Sequence, residues 1–182
     1  MRVGFCGTQG SGKTTLMKAV EKSSLGFTAV PSTARGAIQA GFKLNRDADP
    51  LSQLVTTVAR CAVEDKIFRE TGKTISDRTP LDSLAYTTYQ ISNVWEAQPY
   101  STYYWSISRD LVAEHMHKYD LVVYFPPLWS PKADGVRDPD VAYQKEIDRI
   151  ILTLVEGLDI QIYPIIEGNT SQRLNYLTKL IS

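Results

Sequence analysis

The sequence predicts an α/β fold in which a parallel sheet carries helices on both faces. Three observations lead there. Residues 3–15, Val-Gly-Phe-Cys-Gly-Thr-Gln-Gly-Ser-Gly-Lys-Thr-Thr, read as a buried strand, a glycine-rich loop and the opening of a helix. Leu121-Val-Val-Tyr-Phe125 is a second apolar run of strand length. Between and beyond these, short apolar runs alternate with longer helix-spaced patterns, as successive strand–helix–strand units require. With 182 residues the chain suits a single domain, 1–182, able to bury a core.

Taken in order, a helix over about 13–23 follows the first strand, because Leu16, Met17, Ala19 and Val20 begin helical spacing. Phe27 to Val30 is the second strand, stopped by Pro31, and Ser32 or Thr33 can cap a helix to about Ala40. Residues 41–50 read as loop. Leu51, Leu54, Val55, Val58, Ala59, Ala62 and Val63 keep helical spacing, giving one long helix to about Thr71 that Gly72 ends. Lys73 to Asp77 is the third strand. Helices follow over about 80–92 and 100–117, then the 121–125 strand, which runs into Pro126-Pro127. A helix over about 139–157, a fifth strand over Ile160–Ile165 and a closing helix over 170–181 complete the chain.

Composition narrows the function classes. Twenty basic residues balance twenty acidic ones, so no net field draws the chain to nucleic acid or an anionic membrane. A local basic cleft remains compatible with that balance. The two cysteines, Cys6 and Cys61, are isolated, and Cys6 lies in a buried strand, which favours core packing over redox chemistry. The chain enters a strand at once and has no long apolar stretch, so neither a signal peptide nor a membrane span is expected, and a cytoplasmic location is.

Gly7-Thr-Gln-Gly10-Ser11-Gly12-Lys13-Thr14 fills every fixed position of G-x-x-x-x-G-K-[ST], the phosphate-binding loop or P-loop. Glycine lets the backbone turn its N–H groups onto phosphate oxygens, and the helix that follows adds the positive end of its dipole. Gly10, Ser11, Gly12, Lys13, Thr14 and Thr15 are therefore candidates to cradle the phosphates of a nucleoside triphosphate. Lys13 can reach the β- and γ-phosphates and the Thr14 hydroxyl can ligate Mg²⁺.

In a parallel sheet of this kind ligands lie beyond the carboxyl ends of the strands, which singles out residues at strand ends. Asp77 ends the third strand, where an acid could support Mg²⁺ or accept a proton from an attacking hydroxyl; a helix N-cap before Pro80 is the alternative. Asp82, one turn on, reads as a dipole-stabilising first-turn carboxylate. Arg35 is placed at the same rim, where its fork suits a phosphate or planar acceptor; a solvated surface arginine is the equal alternative. Trp129 to Asp138 has the composition of a lid, with Gly and Pro hinges and two cations, Lys132 and Arg137, that closure could bring to the transferred group; a solvated loop is the equal alternative. Glu167-Gly168-Asn169 could edge a purine ring or simply cap the last helix. His115 and His117 near a helix end favour a dipole role over a metal. Tyr86, Tyr89, Tyr100, Tyr103, Tyr104 and Trp105 could stack a base or pack a helical subregion. No guanine-reading Asn-Lys-x-Asp motif is present.

These residues resemble the P-loop branch that holds nucleoside and nucleotide kinases. More narrowly, the chain is similar to the AAA-type domain family that includes the bacterial nicotinamide-riboside kinase domain and many phage ATPases. The carriers are Gly7–Thr14, Ala34-Arg35, Asp77-Arg78 with Asp82 to Tyr86, Tyr119 to Pro127, and Asp134 to Arg137 with Ala142-Tyr143, Glu146 and Asp148. The resemblance implies a three-layer αβα sandwich whose five strands are ordered 2-3-1-4-5. It implies a helical acceptor subregion over about 32–117 and a lid over about 126–138. It also implies ATP with Mg²⁺ as donor, Asp77 as base or metal-side acid, and Arg137 on the lid. Relatives often carry an acid before the Ala-Arg pair, where this chain has Ser32-Thr33.

The expected chemistry is phosphoryl transfer catalysed by Lys13, Asp77 and Arg137, with Thr14 and Asp77 on Mg²⁺. In a 2-3-1-4-5 sheet the acceptor should lie among Arg35, Arg60, Arg78 and Tyr86. Three arginines favour a deoxynucleoside monophosphate over a free nucleoside. Alternatives are a nucleoside kinase, a kinase for a modified base in DNA, and a regulatory ATP- or GTP-binding module. The partner expected is a small nucleotide acceptor rather than a membrane; DNA is the less favoured partner, and a homodimer is compatible with the sequence. If the chain is phage-encoded, its cytoplasm is the host's.

Overall fold

The structure is a computed structural model that describes residues 1–30, 33–43, 48–93, 100–128 and 140–182, the side chains of residues 34 and 35 excepted. Its strands are β1 (Arg2–Cys6), β2 (Thr28–Val30), β3 (Thr74–Ser76), β4 (Leu121–Tyr124) and β5 (Tyr163–Pro164). They form one parallel sheet in the order β2-β3-β1-β4-β5, as the resemblance implies. The helices are α1 (Lys13–Glu21), α2 (Ala34–Gln39), α3 (Pro50–Thr71), α4 (Pro80–Asn93), α5 (Ser101–Met116), α6 (Val141–Gly157) and α7 (Thr170–Ile181).

Strand alternation divides the core in two. Val3, Phe5, Leu121, Val123 and Phe125 point to one face and meet Leu16, Met17, Val20 and Leu177 of α1 and α7. Cys6, Val122 and Tyr124 point to the other and meet Leu81, Leu84, Ala85, Val112 and Ile147 of α4, α5 and α6. Burial pushes both the Cys6 and Cys61 thiols up, Cys61 to about 12, so each is a packed neutral thiol.

The elements follow the sequence closely except at two places. β5 is two residues rather than the six expected, pairing only Val123 with Tyr163 and Tyr124 with Pro164. Pro164 has no N–H for a longer ladder, which suits an edge strand. The second difference is α3. Its apolar spacing predicts the helix, yet the side it buries is polar: Ser52, Gln53, Thr56, Thr57, Arg60 and Glu64, all at most 8% exposed. Leu51 and Val58 stand half exposed on the other side. Amphipathic spacing reveals a helix but not which face the tertiary structure uses, and here α3 turns polar groups toward the interior beside β3.

Helix starts also refine the expectations. Asp49 and Asp140 cap α3 and α6 by accepting from Ser52 N and from Ala142 N and Tyr143 N. Asn169 and Gln172 form a reciprocal capping box at α7, so the capping role expected of Asn169 is present. Thr33 stands at the start of α2 but its side chain makes no capping bond. Among the described residues no helix is long and apolar enough to cross a membrane.

Candidate functional site

The site is built at the carboxyl ends of β1 and β3. Gly7, Gly10 and Gly12 take positive φ, the conformation that wraps the loop. A Cβ on Gly7 would collide with the Phe125 carbonyl oxygen, so the loop passes the residue that follows β4 too closely for any side chain. The loop is held from several sides. Gly7 N donates to Asp82 Oδ1 (2.9 Å), Gln144 Nε2 to the Gln9 carbonyl (2.7 Å) and Arg173 Nη1 to the Ser11 carbonyl (3.3 Å). α4, α6 and α7 thus each fasten the loop.

Lys13 is buried, with Nζ donating to the carbonyls of Gly7 (2.7 Å) and Thr8 (2.5 Å) and to Ser11 Oγ (3.0 Å). Burial, helped by the charge of Arg78, pulls its pKa from 10.5 to about 8. The next residue meets the third strand: Thr14 Oγ1 donates to Asp77 Oδ2 at 2.7 Å. Asp77 is therefore engaged with the P-loop, not with the start of α4. A hydroxyl and a carboxylate brought together beside a phosphate cradle form a hard oxygen pair of the kind Mg²⁺ takes. Thr15 is exposed at the start of α1.

Asp82 does more than balance a dipole. It is 1% exposed and also accepts from Thr79 N (2.8 Å) and Thr79 Oγ1 (3.0 Å). One carboxylate thus joins the first P-loop glycine to the start of α4. The Thr-x-x-acid spacing of Thr79 and Asp82 is half of a capping box and could have been read from sequence. The loop contacts of Gln144 and Arg173 carry no such local signal.

Arg78 has φ 152°, a backbone conformation that costs a non-glycine residue about 1–3 kcal/mol. Its guanidinium lies 5.6 Å from the Tyr86 ring centroid, and Nη1 is 3.9 Å from Asp82 Oδ1. Among the described residues, Nη1 is buried and makes no hydrogen bond. Burial lowers the pKa of Arg78, but Tyr86, Asp82 and Asp77 outweigh it and leave the pKa above the ordinary arginine value. Of the residues expected around the acceptor, Arg78 and Tyr86 thus lie side by side.

Arg60 is placed differently from an acceptor-facing arginine. It is 2% exposed, with Nε donating to Glu64 Oε1 (2.8 Å) and Nη2 to the Arg78 carbonyl. His115 Nε2 lies 3.0 Å from Glu64 Oε2, which also accepts from Tyr119 OH. Burial alone would raise the Glu64 pKa, but the Arg60 charge and the His115 and Tyr119 bonds hold it below the usual carboxylate range. His115 thus serves an ion-pair cluster, and no metal-ligating group of three occurs among the described residues. Tyr86 and Tyr89 pack on Tyr143, and Trp105 Nε1 donates to Thr88 Oγ1, which makes these three aromatics part of the packing. Tyr100 and Tyr103 are exposed. Arg137, the rest of the expected lid from Trp129 onward and the Arg35 side chain lie outside the described residues.

Nearly the whole chain superposes on several solved structures. Deoxyadenosine kinase from M. mycoides, solved with the products dCMP and dCDP, matches with a TM-score of 0.73 at 15% identity, covering 100% of this chain and 98% of that one. NadR in complex with NAD and AMP-PNP matches with a TM-score of 0.74 at 12% identity, covering 98% of this chain and 48% of that one. Thymidylate kinase from Candida albicans matches with a TM-score of 0.67 at 14% identity, covering 99% and 90%. At such identities the likeness is one of fold. No curated protein sequence matches. The family model described as an AAA domain matches residues 2–173, nearly the whole chain, and the protein therefore belongs to that AAA-domain family.

Proposed function

We propose that the protein is a kinase that transfers the γ-phosphoryl group of ATP to a nucleotide-type acceptor, a deoxynucleoside monophosphate preferred over a free nucleoside. The observation that carries this reading is the Thr14–Asp77 pair beside Lys13, with Arg78 next in sequence to Asp77. The backbone N–H groups of Gly10 to Thr15 and the Lys13 ammonium receive the donor phosphates. Thr14 and Asp77 would hold Mg²⁺, which when bound screens the phosphate charge and aligns the donor. The contact with the Thr14 hydroxyl favours Asp77 as the metal-side acid over Asp77 as base. A phosphate oxygen of the acceptor bonds to the γ-phosphorus as the bond to ADP breaks; near neutral pH that oxygen is already ionised, so the step needs no base to remove a proton. Arg78, with an Nη1 that lacks a hydrogen bond, supplies the fork for an anionic acceptor, and Tyr86 backs its plane. Arg35 and Arg137 remain proposed as acceptor and transition-state cations on sequence grounds.

Incubation with labelled ATP and pooled nucleosides and nucleoside monophosphates tests the reaction. Label appearing in a nucleoside diphosphate is the expected result; label released only as inorganic phosphate would point to a nucleotide-gated module instead. A thermal-shift series with a non-hydrolysable ATP analogue present then separates acceptor classes, since ligand at about a hundred times its dissociation constant adds roughly 2.7 kcal/mol. Stabilisation by nucleosides alone would overturn the monophosphate preference.

Triphosphate binding should also depend on pH in a defined direction. A bound polyanion favours the protonated Lys13 and raises its pKa above the free value of about 8. Affinity is then full below pH 8 and falls as pH rises through it, by about tenfold per unit until the bound-state value is reached. Titration calorimetry with the analogue at successive pH values reads this slope, and Lys13→Arg should flatten it. A level profile for the wild type would refute the assignment.

A further inference from the structure

The buried polar side of α3 points to a role for Arg60 that differs from touching the acceptor. The carbonyl of Arg78 and the N–H of Thr79 belong to one peptide unit. Arg60 Nη2 donates to that carbonyl, and Thr79 N donates to Asp82 Oδ2 at 2.8 Å. The unit is therefore gripped from both sides at the residue whose φ is 152°. Arg60 is itself held by Glu64, and Glu64 by His115 of α5 and Tyr119 before β4. Buried ion pairs of this kind seldom stabilise a fold more than apolar residues of the same volume would, so stability does not account for four polar side chains here.

We infer that Arg60, fixed by the Glu64–His115–Tyr119 cluster, is a positioning residue that clamps the Arg78–Thr79 peptide and so sets the angle between Asp77 on the metal side and the Arg78 guanidinium on the acceptor side. This deepens the kinase reading and rests on it for its catalytic consequence. A slip at this peptide would turn Arg78 away from the acceptor while leaving the P-loop, held through Gly7, Gln9 and Ser11, in place. The acceptor side should suffer and the ATP side should not.

A double-mutant cycle tests the clamp. Arg60→Lys keeps the charge but lacks the fork that reaches Glu64 and the Arg78 carbonyl together. It is expected to lower kcat/KM for the acceptor by about ten- to a hundredfold with the KM for ATP unchanged. In an Arg78→Ala background the same substitution should add almost nothing, because the side chain it positions is gone. Losses that multiply in the double variant would overturn the inference. A second readout needs no activity: the Arg78 Nε–H signal in an arginine-selective NMR spectrum, assigned by its loss in Arg78→Ala, should shift or broaden in Arg60→Lys. An unmoved signal overturns the clamp even if the wild type transfers no phosphate, an outcome that would sink the kinase reading separately. Should Arg60→Lys not fold, Glu64→Gln carries both readouts.

Discussion

Lys13→Ala is expected to abolish phosphoryl transfer, lowering kcat by at least about 10²–10³, while leaving the unliganded protein close to wild-type stability. The loss of rate follows from removing a preorganised cation at the transferred phosphate. The small change in stability follows from the sign of the Lys13 shift. Its folded pKa of about 8 lies below its ordinary 10.5, so at neutral pH the buried charge opposes folding by about 3 kcal/mol. Its bonds to the Gly7 and Thr8 carbonyls and Ser11 Oγ offset a similar amount. The substitution removes both. Between pH 8 and 10.5 the unfolded chain binds the extra proton, so the Lys13 contribution to stability rises with pH there and vanishes in the variant. Phosphoryl transfer equal to wild type in Lys13→Ala would end the kinase proposal; a melting point lowered by more than about ten degrees would show that the lysine is chiefly structural.

Asp82→Ala should be the most destabilising single change at the site. It strands Gly7 N–H, Thr79 N–H and the Thr79 hydroxyl, and it takes a carboxylate from beside Arg78. Breaking such a buried, hydrogen-bonded charge typically costs about 3–5 kcal/mol, which for a domain of this size lowers the melting temperature by roughly 10 °C. Triphosphate affinity should fall with it, because Gly7 opens the phosphate cradle. Asp82→Asn, which keeps only one accepting oxygen, should lie between. Calorimetric melting of the three proteins checks the order, and a loss below about 1 kcal/mol for Asp82→Ala would show that the loop is held mainly by Gln144 and Arg173.

The local grammar of the chain was legible without coordinates. The P-loop from Gly7 to Thr14, the apolar β4 run and the Gly72 stop each follow from short-range sterics and hydrogen bonding, and the structure has them where those rules put them. The sheet order came from resemblance, since alternating elements predict a parallel sheet but not which strand is central. Three things required the tertiary structure. The contact of Thr14 with Asp77 joins residues 63 apart, and Gln144 reaches Gln9 across 135; no periodicity encodes such pairings. The face that α3 buries was decided by its neighbours, because Glu64 finds His115 and Tyr119 only when β4 and α5 are in place. The role of Arg60 depended on one peptide plane. A strand-end arginine and a helical arginine look alike in sequence, and only folding shows that Arg60 spends its fork on the Arg78 backbone while Nη1 of Arg78 is left without a hydrogen bond among the described residues. Local structure follows from residue chemistry over a few positions, whereas a site that holds charge out of water depends on partners that only long-range packing brings together.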